Sequence, residues 1–338
     1  MARGAGLAAY DHQIVTPVTS PASSAVTVRV PAKVNLQLAV GPAGADGYHD
    51  LVTVFHAVSL FDEVTVRPAS RTSVLVSGES AGSVPRGNTN LAARAASALA
   101  QATSRRRQGS PAVQIEILKR IPVAAGLAGG SADAAAALLA CNELWRTGLT
   151  QQQLCDVAAE VGSDVPFAVV GGTAVGQGRG ERLTPALVAG TYHWVLAFSA
   201  AELSTPEVYA VCDRLRAARA AADGVGREAP APRLSTALMS ALRSGDPAAV
   251  GPLLANDLQP AAVSLLPELR RALAAGREHG ALGGIVSGSG PTCAFLAADA
   301  RHARDLAVSL TGAGICRGVL RVTGPVPGAA ILTARERG

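Results

Sequence analysis

Apolar and polar positions begin to alternate at Val26. Residues 26–30 and 33–40 run with period two, and 51–60, 62–67 and 73–77 add similar stretches, which predicts half-buried β-strands. Thr89 or Asn90 can cap a helix reaching about residue 102, and 112–119 reads as a strand again. That strand runs through a glycine-rich loop into an alanine-rich helix from Ser131 to about residue 146, followed by a helix over 150–161. Gly162-Ser-Asp164-Val-Pro166 comes next, and 171–180 reads as a tight turn region because it carries so much glycine. A strand at 194–198 opens the second half. After it come helices at 206–222, 236–243 and 267–279, a glycine-rich turn, a strand at 293–296, a helix from 300 and a strand at 319–322. Residues 1–24 lack periodicity and read as a flexible leader, and 222–233, rich in Ala, Gly and Pro, as a mobile loop. No internal repeat is visible.

Composition narrows the class. The chain has 338 residues, 49% of them hydrophobic, enough for packed cores and two ordinary domains. A net charge of +5 is scattered, aromatic residues are few, and the one dense basic patch, Arg105-Arg106-Arg107, reads as a solvated loop, so no nucleic-acid partner is expected. The five cysteines are far apart and set in apolar runs, which predicts buried thiols in a reducing compartment. With no stretch of the roughly 20 apolar residues a membrane helix needs and no apolar N-terminal segment, the expectation is a cytoplasmic protein with no membrane partner, as a monomer or weak homodimer. Of 30 basic residues only Lys33 and Lys119 are lysine. A retained lysine matters because its compact ammonium fits between phosphate oxygens and a hydroxyl, where a planar guanidinium does not.

The loop Pro122-Val123-Ala124-Ala125-Gly126-Leu127-Ala128-Gly129-Gly130-Ser131-Ala132 carries the most specific chemistry. Glycine allows sharp turns and close backbone approach, and the first amides of the following helix have no intrahelical acceptor and sit at the positive end of the helix dipole. An anion fits there. The loop lacks the Gly-Lys-Ser/Thr ending of a Walker loop and the Gly-x-Gly-x-x-Gly spacing of a dinucleotide site. Ser131 is expected to begin the helix, capping it while its hydroxyl faces phosphate or Mg²⁺. Asp133 reads as a solvent-facing acid in the first turn.

Three further segments accompany this loop: Pro31-Ala-Lys33-Val-Asn35-Leu with Asp46-Gly-Tyr48-His49, then Gly162-Ser-Asp164-Val-Pro166, then Ser287-Gly288-Ser289-Gly290-Pro-Thr. In this order the four segments resemble the GHMP kinase superfamily, over roughly residues 26–325. The resemblance implies an α+β, two-domain fold. An N-terminal ATP-binding domain (25–184) and a C-terminal ferredoxin-like α/β domain (185–330) would hold the active site in the cleft between them. It also implies transfer of the ATP γ-phosphoryl group to the C2 hydroxyl of a cytidine-diphosphate-linked methylerythritol, a step toward isoprenoid precursors. Homoserine- or mevalonate-type acceptors, or a catalytically silent nucleotide-binding regulator, are the alternatives.

On that reading Asp164 is the base and Lys33 the ammonium that stabilises developing charge, although Asp164 also suits a helix N-cap and Lys33 a solvated strand position. The resemblance assigns Tyr48, His49 and Tyr209 to the cytosine, His49 by ring-edge hydrogen bonds and the two tyrosines by stacking. Asn35 goes to the substrate beside Lys33, and Asn90 to the adenine pocket, though capping accounts for Asn90 equally well. Ser287, Gly288, Ser289 and Gly290 would close the substrate side with backbone amides. Ala128 stands where several superfamily members carry a third glycine or a serine. ATP and Mg²⁺ are the expected cofactors. No glutamate ligand is legible, so the metal is expected to rest chiefly on ATP and water, with Ser131 its one protein ligand.

Overall fold

The structure, a computed structural model, describes residues 25–103, 111–222 and 231–333. The leader, the Arg105-Arg106-Arg107 patch and most of the 222–233 loop lie outside the described residues. Two long antiparallel strands, β1 (Val26–Ala43) and β2 (His49–Pro68), form the spine of the first sheet. Each is continuous where the periodicity suggested two. The register between them shifts at Pro31/Ala32 and again at Asn35/Gln37. A bulge re-aims side chains, and these two bracket Lys33 and Asn35.

Beside the spine lie β3 (Ser73–Gly78) and, parallel to it, β4 (Val113–Lys119), linked by α1 (Leu91–Thr103). The helices α2 (Gly129–Leu144), α3 (Gln151–Val161) and α4 (Val165–Val170) follow β4. Residues 132–138 of α2 are at most 3% exposed, because the helix packs against β1, β2, α1, α3 and α4 at once. Alanine on nearly every side lets all these neighbours approach closely, and Thr150 with Gln153 closes α3 in a reciprocal capping box. The expected half-burial of β1 is corrected here: residues 30–38 are buried on both faces. One face meets α2, and the other meets the loop around Gly288, where an added Cβ would stand 3.1 Å from the Lys33 Nζ.

The turn expected at 171–180 is confined to residues 179–181, where the Gly180 amide donates to the Gln177 carbonyl. Most of the segment is instead a strand, β5 (Thr173–Gly178), which pairs with β2 and then with β6 (Arg182–Pro185). Gly176 is required there because a Cβ would come within 2.7 Å of the Phe55 ring, the usual meaning of glycine inside a strand.

The second half builds a four-stranded antiparallel sheet. Its chain order is β7 (Tyr192–Phe198), then α5 (Thr205–Ala222), α6 (Thr236–Ser244), α7 (Pro247–Val250), β8 (Ala255–Asn256), α8 (Gln259–Leu265) and α9 (Glu268–Glu278). After these come β9 (Gly283–Val286), β10 (Cys293–Ala297), α10 (Ala300–Gly312), β11 (Gly318–Gly324) and β12 (Ala330–Ile331). The spatial order β11-β7-β10-β9 is that of a β-α-β-β-α-β ferredoxin-like unit with an enlarged first crossover. The glycine-rich turn expected near 283 therefore contains a strand, β9. Like β6, the short strands β8 and β12 escaped the sequence reading altogether; these two each leave the second half and pair with β1.

Candidate active site

Lys33 sits on β1 between the two bulges, and its ammonium donates to the Asn35 side-chain oxygen at 2.6 Å and to the Gly126 carbonyl at 3.0 Å. Asp164 presents a carboxylate oxygen 3.8 Å from it. Asp164 precedes α4 but makes no side-chain cap bond, so its carboxylate is not committed to the helix. Burial pulls Lys33 below the ordinary lysine range, and the adjacent Asp164 opposes that pull. Asn35 is held in turn by its amide bond to the Thr53 hydroxyl, 2.8 Å away. The result is a desolvated ammonium and a freer carboxylate, 8% and 30% exposed, meeting at the wall of a cavity of about 600 Å³.

The glycine loop lines the same cavity and touches Lys33 through Gly126. Val123, Ala124, Ala125, Gly126, Ala128, Gly129, Gly130 and Ser131 line the cavity, whereas Pro122, Leu127 and Ala132 do not. The Ala132 amide is already bonded to the Ala128 carbonyl, so the anion-facing amides are those of the residues before it. Gly126 has φ +74°, and a Cβ there would fall 2.2 Å from the Ser287 carbonyl oxygen; loop and second half are in backbone contact.

Two expectations fail at the start of α2. The helix begins at Gly129 rather than Ser131, and its N-cap position is Ala128, which has φ 59° and no side-chain cap bond. Ser131 lies inside the first turn, its hydroxyl available to the cavity but not capping. A left-handed alanine costs roughly 1–2 kcal/mol, partly offset by the unfolded-state entropy that glycine would add. Ala128→Gly is accordingly expected to raise stability by about 0.5–1 kcal/mol in a denaturant titration; a fall would show that this backbone is not strained.

Asp133 is not solvent-facing. It is 3% exposed and accepts from Lys119 at 2.8 Å, while Lys119 also reaches Asp62 at 2.5 Å. Asp62 further accepts from the amides of Arg120 and Ile121 at 2.6 and 2.8 Å, fastening the root of the glycine loop to β2. Burial presses the Lys119 ammonium toward its neutral form, but the two carboxylates outweigh it and its pKa is raised. Burial and Asp62 push Asp133 upward. This buried charge cluster was missed from sequence; the one signal was a lysine retained among arginines.

Of the residues expected at the acceptor, Asn35, Tyr209, Gly288, Ser289 and Gly290 line the main cavity. Ser287 does not; it is fully buried, and its hydroxyl donates to the Gly126 carbonyl at 3.0 Å. The expected ring of amides is also reduced, since the Ser287 and Gly290 amides bond to the carbonyls of Thr292 and Ser287. Tyr48 and His49 line a neighbouring cleft instead. His49 Nε2 contacts the Asp213 carboxylate at 3.0 Å, and its ring lies 5.0 Å from that of Tyr209, linking the two spaces. Asn90 does cap α1, its side-chain oxygen accepting from the Ala92 amide, while lining the main cavity.

For Mg²⁺, no group of three or more His, Cys, Asp or Glu suited to a metal occurs among the described residues. The oxygen donors at the start of α2 are the Ser131 hydroxyl and Asp133, whose Oδ1 has no partner. They fit a cation carried in on a nucleotide and sharing few protein ligands. No helix among the described residues is long and apolar enough to cross a membrane.

Comparison with known proteins agrees with this geometry. Residues 90–172 match the GHMP kinases N terminal domain and 238–315 the GHMP kinases C terminal domain. The 4-diphosphocytidyl-2-C-methyl-D-erythritol kinase of Nocardia farcinica is 56% identical over 91% of this chain and 97% of its own. A crystal structure of 4-(cytidine 5'-diphospho)-2C-methyl-D-erythritol kinase superposes with a TM-score of 0.67 at 34% identity, covering 88% of this chain and 98% of that one. Homoserine kinase from Cytophaga hutchinsonii, at 20% identity and TM-score 0.70 over 94% and 100% of the chains, shares the fold. With such identity along nearly its whole length, the chain belongs to the GHMP kinases, among the 4-diphosphocytidyl-2-C-methyl-D-erythritol kinases.

Proposed function

We propose that the chain transfers the γ-phosphoryl group of ATP to the 2-hydroxyl of 4-diphosphocytidyl-2-C-methyl-D-erythritol, in the non-mevalonate route to isoprenoid precursors. The observation that carries the chemistry is the 3.8 Å contact between Lys33 and Asp164 in the cavity that the glycine loop also lines. Both groups are retained, which speaks against a silent regulator. In this reading the N-terminal part, 25–184, holds ATP and the second part, 185–330, closes over the acceptor. The enzyme works in the cytoplasm as a monomer or weak homodimer.

Each residue then has a defined task. The first-turn amides of α2 hold the triphosphate. Asp164 accepts the proton of the acceptor hydroxyl as the phosphorus–oxygen bond forms. Lys33, held by Asn35 and the Gly126 carbonyl, offsets charge on the attacking oxygen and the transferred group. Phosphoryl transfer needs mainly such positioning and charge stabilisation. When bound, Mg²⁺ would neutralise phosphate charge, with Ser131 as its protein ligand.

An ADP-release assay with this acceptor, homoserine and mevalonate tests the proposal. The nucleotide-linked alcohol is expected to exceed the other two in kcat/KM by about 10⁴-fold or more, the scale on which unpaired buried polar groups reject a wrong substrate. Equal or better turnover of homoserine or mevalonate would refute it.

A further inference from the structure

Any triphosphate and any phosphorylated acceptor bring negative charge into this cavity, so the basic groups lining it decide what it can hold. Lys33, Lys119 and Arg179 are the lysines and arginines that line it among the described residues. Lys33 is buried against Asp164, Asn35 and Gly126. Lys119 is enclosed by Asp62 and Asp133. Arg179 differs from both. Its side chain is 51% exposed, and its one carboxylate partner, Asp46 at 2.9 Å, is itself 58% exposed, so that pair is weakly held and easily shared.

Among the described residues, Arg179 is also the one that lines both the main cavity and the neighbouring cleft. Its guanidinium carbon lies 3.6 Å from the centre of the Tyr48 ring, a stacking distance that fixes the plane of the fork. Asp46 in turn accepts from the Tyr48 amide at 3.0 Å, so Tyr48, Asp46 and Arg179 form one small assembly. Asp46 takes one terminal nitrogen of the guanidinium, which leaves the other donors of the fork open.

The register of the sheet shows what spans this distance. Lys33 pairs with Ala57 on β2, and Leu51 of the same strand pairs with Gly178, the residue before Arg179. Six residues of strand separate these levels, roughly 20 Å at the usual rise. A small free alcohol beside Lys33 spans little of this backbone separation. An acceptor that also engages Tyr48 and His49 must pass its linker over the seam where Arg179 stands.

Resting on the reading under Proposed function, we infer that Arg179 is a specificity-determining residue that binds the diphosphate linker of the acceptor, with Tyr48 as its stacking platform and Asp46 as its hinge partner. The planar fork suits phosphate oxygens in a way that an ammonium does not. Tyr48 therefore presents one face to Arg179, and only its other face is open to a base.

The test compares CDP and cytidine as competitive inhibitors against the acceptor, in the wild type and in Arg179→Met and Arg179→Lys. In the wild type CDP is expected to bind at least about 10-fold more tightly than cytidine. In Arg179→Met that ratio falls toward one, KM for the acceptor rises about 10-fold or more, and KM for ATP stays within about twofold. Arg179→Lys keeps charge without the fork and falls between the two. The cytidine constant reports separately on any disturbance of the Tyr48 platform. An unchanged CDP-to-cytidine ratio in Arg179→Met, or no preference for CDP in the wild type, would overturn the assignment. Failure of the wild type to phosphorylate the nucleotide-linked alcohol would instead overturn the proposed function.

Discussion

Asp164→Asn is expected to lower kcat by about 10²–10⁴-fold, the range for removal of a positioned general base, while the ATP dissociation constant stays within about threefold. Asparagine keeps the size of the side chain but removes its negative charge and its capacity to accept a proton. The nucleotide is expected to be indifferent because its phosphates are held by the first-turn amides of α2 rather than by Asp164. A second readout comes from Lys33. Burial already lowers its pKa and Asp164 opposes that shift, so losing the carboxylate lowers it further. The ammonium is then lost at lower pH, and the alkaline limb of the residual activity moves down the pH scale relative to the wild type. Rapid-quench kinetics and equilibrium ATP binding measure the two effects. Undiminished kcat, or loss of ATP binding in step with kcat, would remove Asp164 from its role.

Lys119→Met is expected to cost about 3–5 kcal/mol of stability, the scale for breaking a buried ion pair and leaving charge behind. Here two carboxylates are stranded, those of Asp62 and Asp133, both at most 4% exposed. Asp62 also anchors the amides of Arg120 and Ile121, so ATP affinity should fall with stability as the loop loses its footing. Adding Asp133→Asn to the variant removes one stranded charge and should recover part of the loss, a coupling of about 0.5–3 kcal/mol. Urea titrations of the single and double variants measure this. A Lys119→Met protein within about 1 kcal/mol of the wild type would show that the cluster is not what holds the loop root.

The parts that were legible from sequence rest on local chemistry. The glycine loop declared itself because its backbone conformations and the helix after it involve neighbouring residues, and Asn90 was readable as a cap for the same reason. The 171–180 segment was misread because glycine marks close approach as well as turns, and the approach in question, to Phe55, comes from a strand more than a hundred residues earlier. Ser131 looked like a cap by residue type, yet Ala128 takes that position, and Gly129 and Gly130 are already helical ahead of the serine.

Long-range chemistry was harder to see. Asp62 and Lys119 lie 57 positions apart, and only the pairing of β2 with β4 makes them neighbours. Arg179 was invisible as a site because nothing local distinguishes it from other arginines in a chain that uses arginine almost everywhere. The return of β8 and β12 to the first sheet rests on two-residue strands, too short to leave a periodic signal.

The most direct test of the account is a crystal structure of the wild-type protein with a non-hydrolysable ATP analogue and 4-diphosphocytidyl-2-C-methyl-D-erythritol. The predicted complex has the acceptor 2-hydroxyl within about 2.6–3.2 Å of the Asp164 carboxylate, hydrogen-bond reach for a general base, and the terminal phosphate between Lys33 and the first turn of α2. An acceptor hydroxyl beyond reach of Asp164, or a triphosphate bound away from the glycine loop, would contradict it.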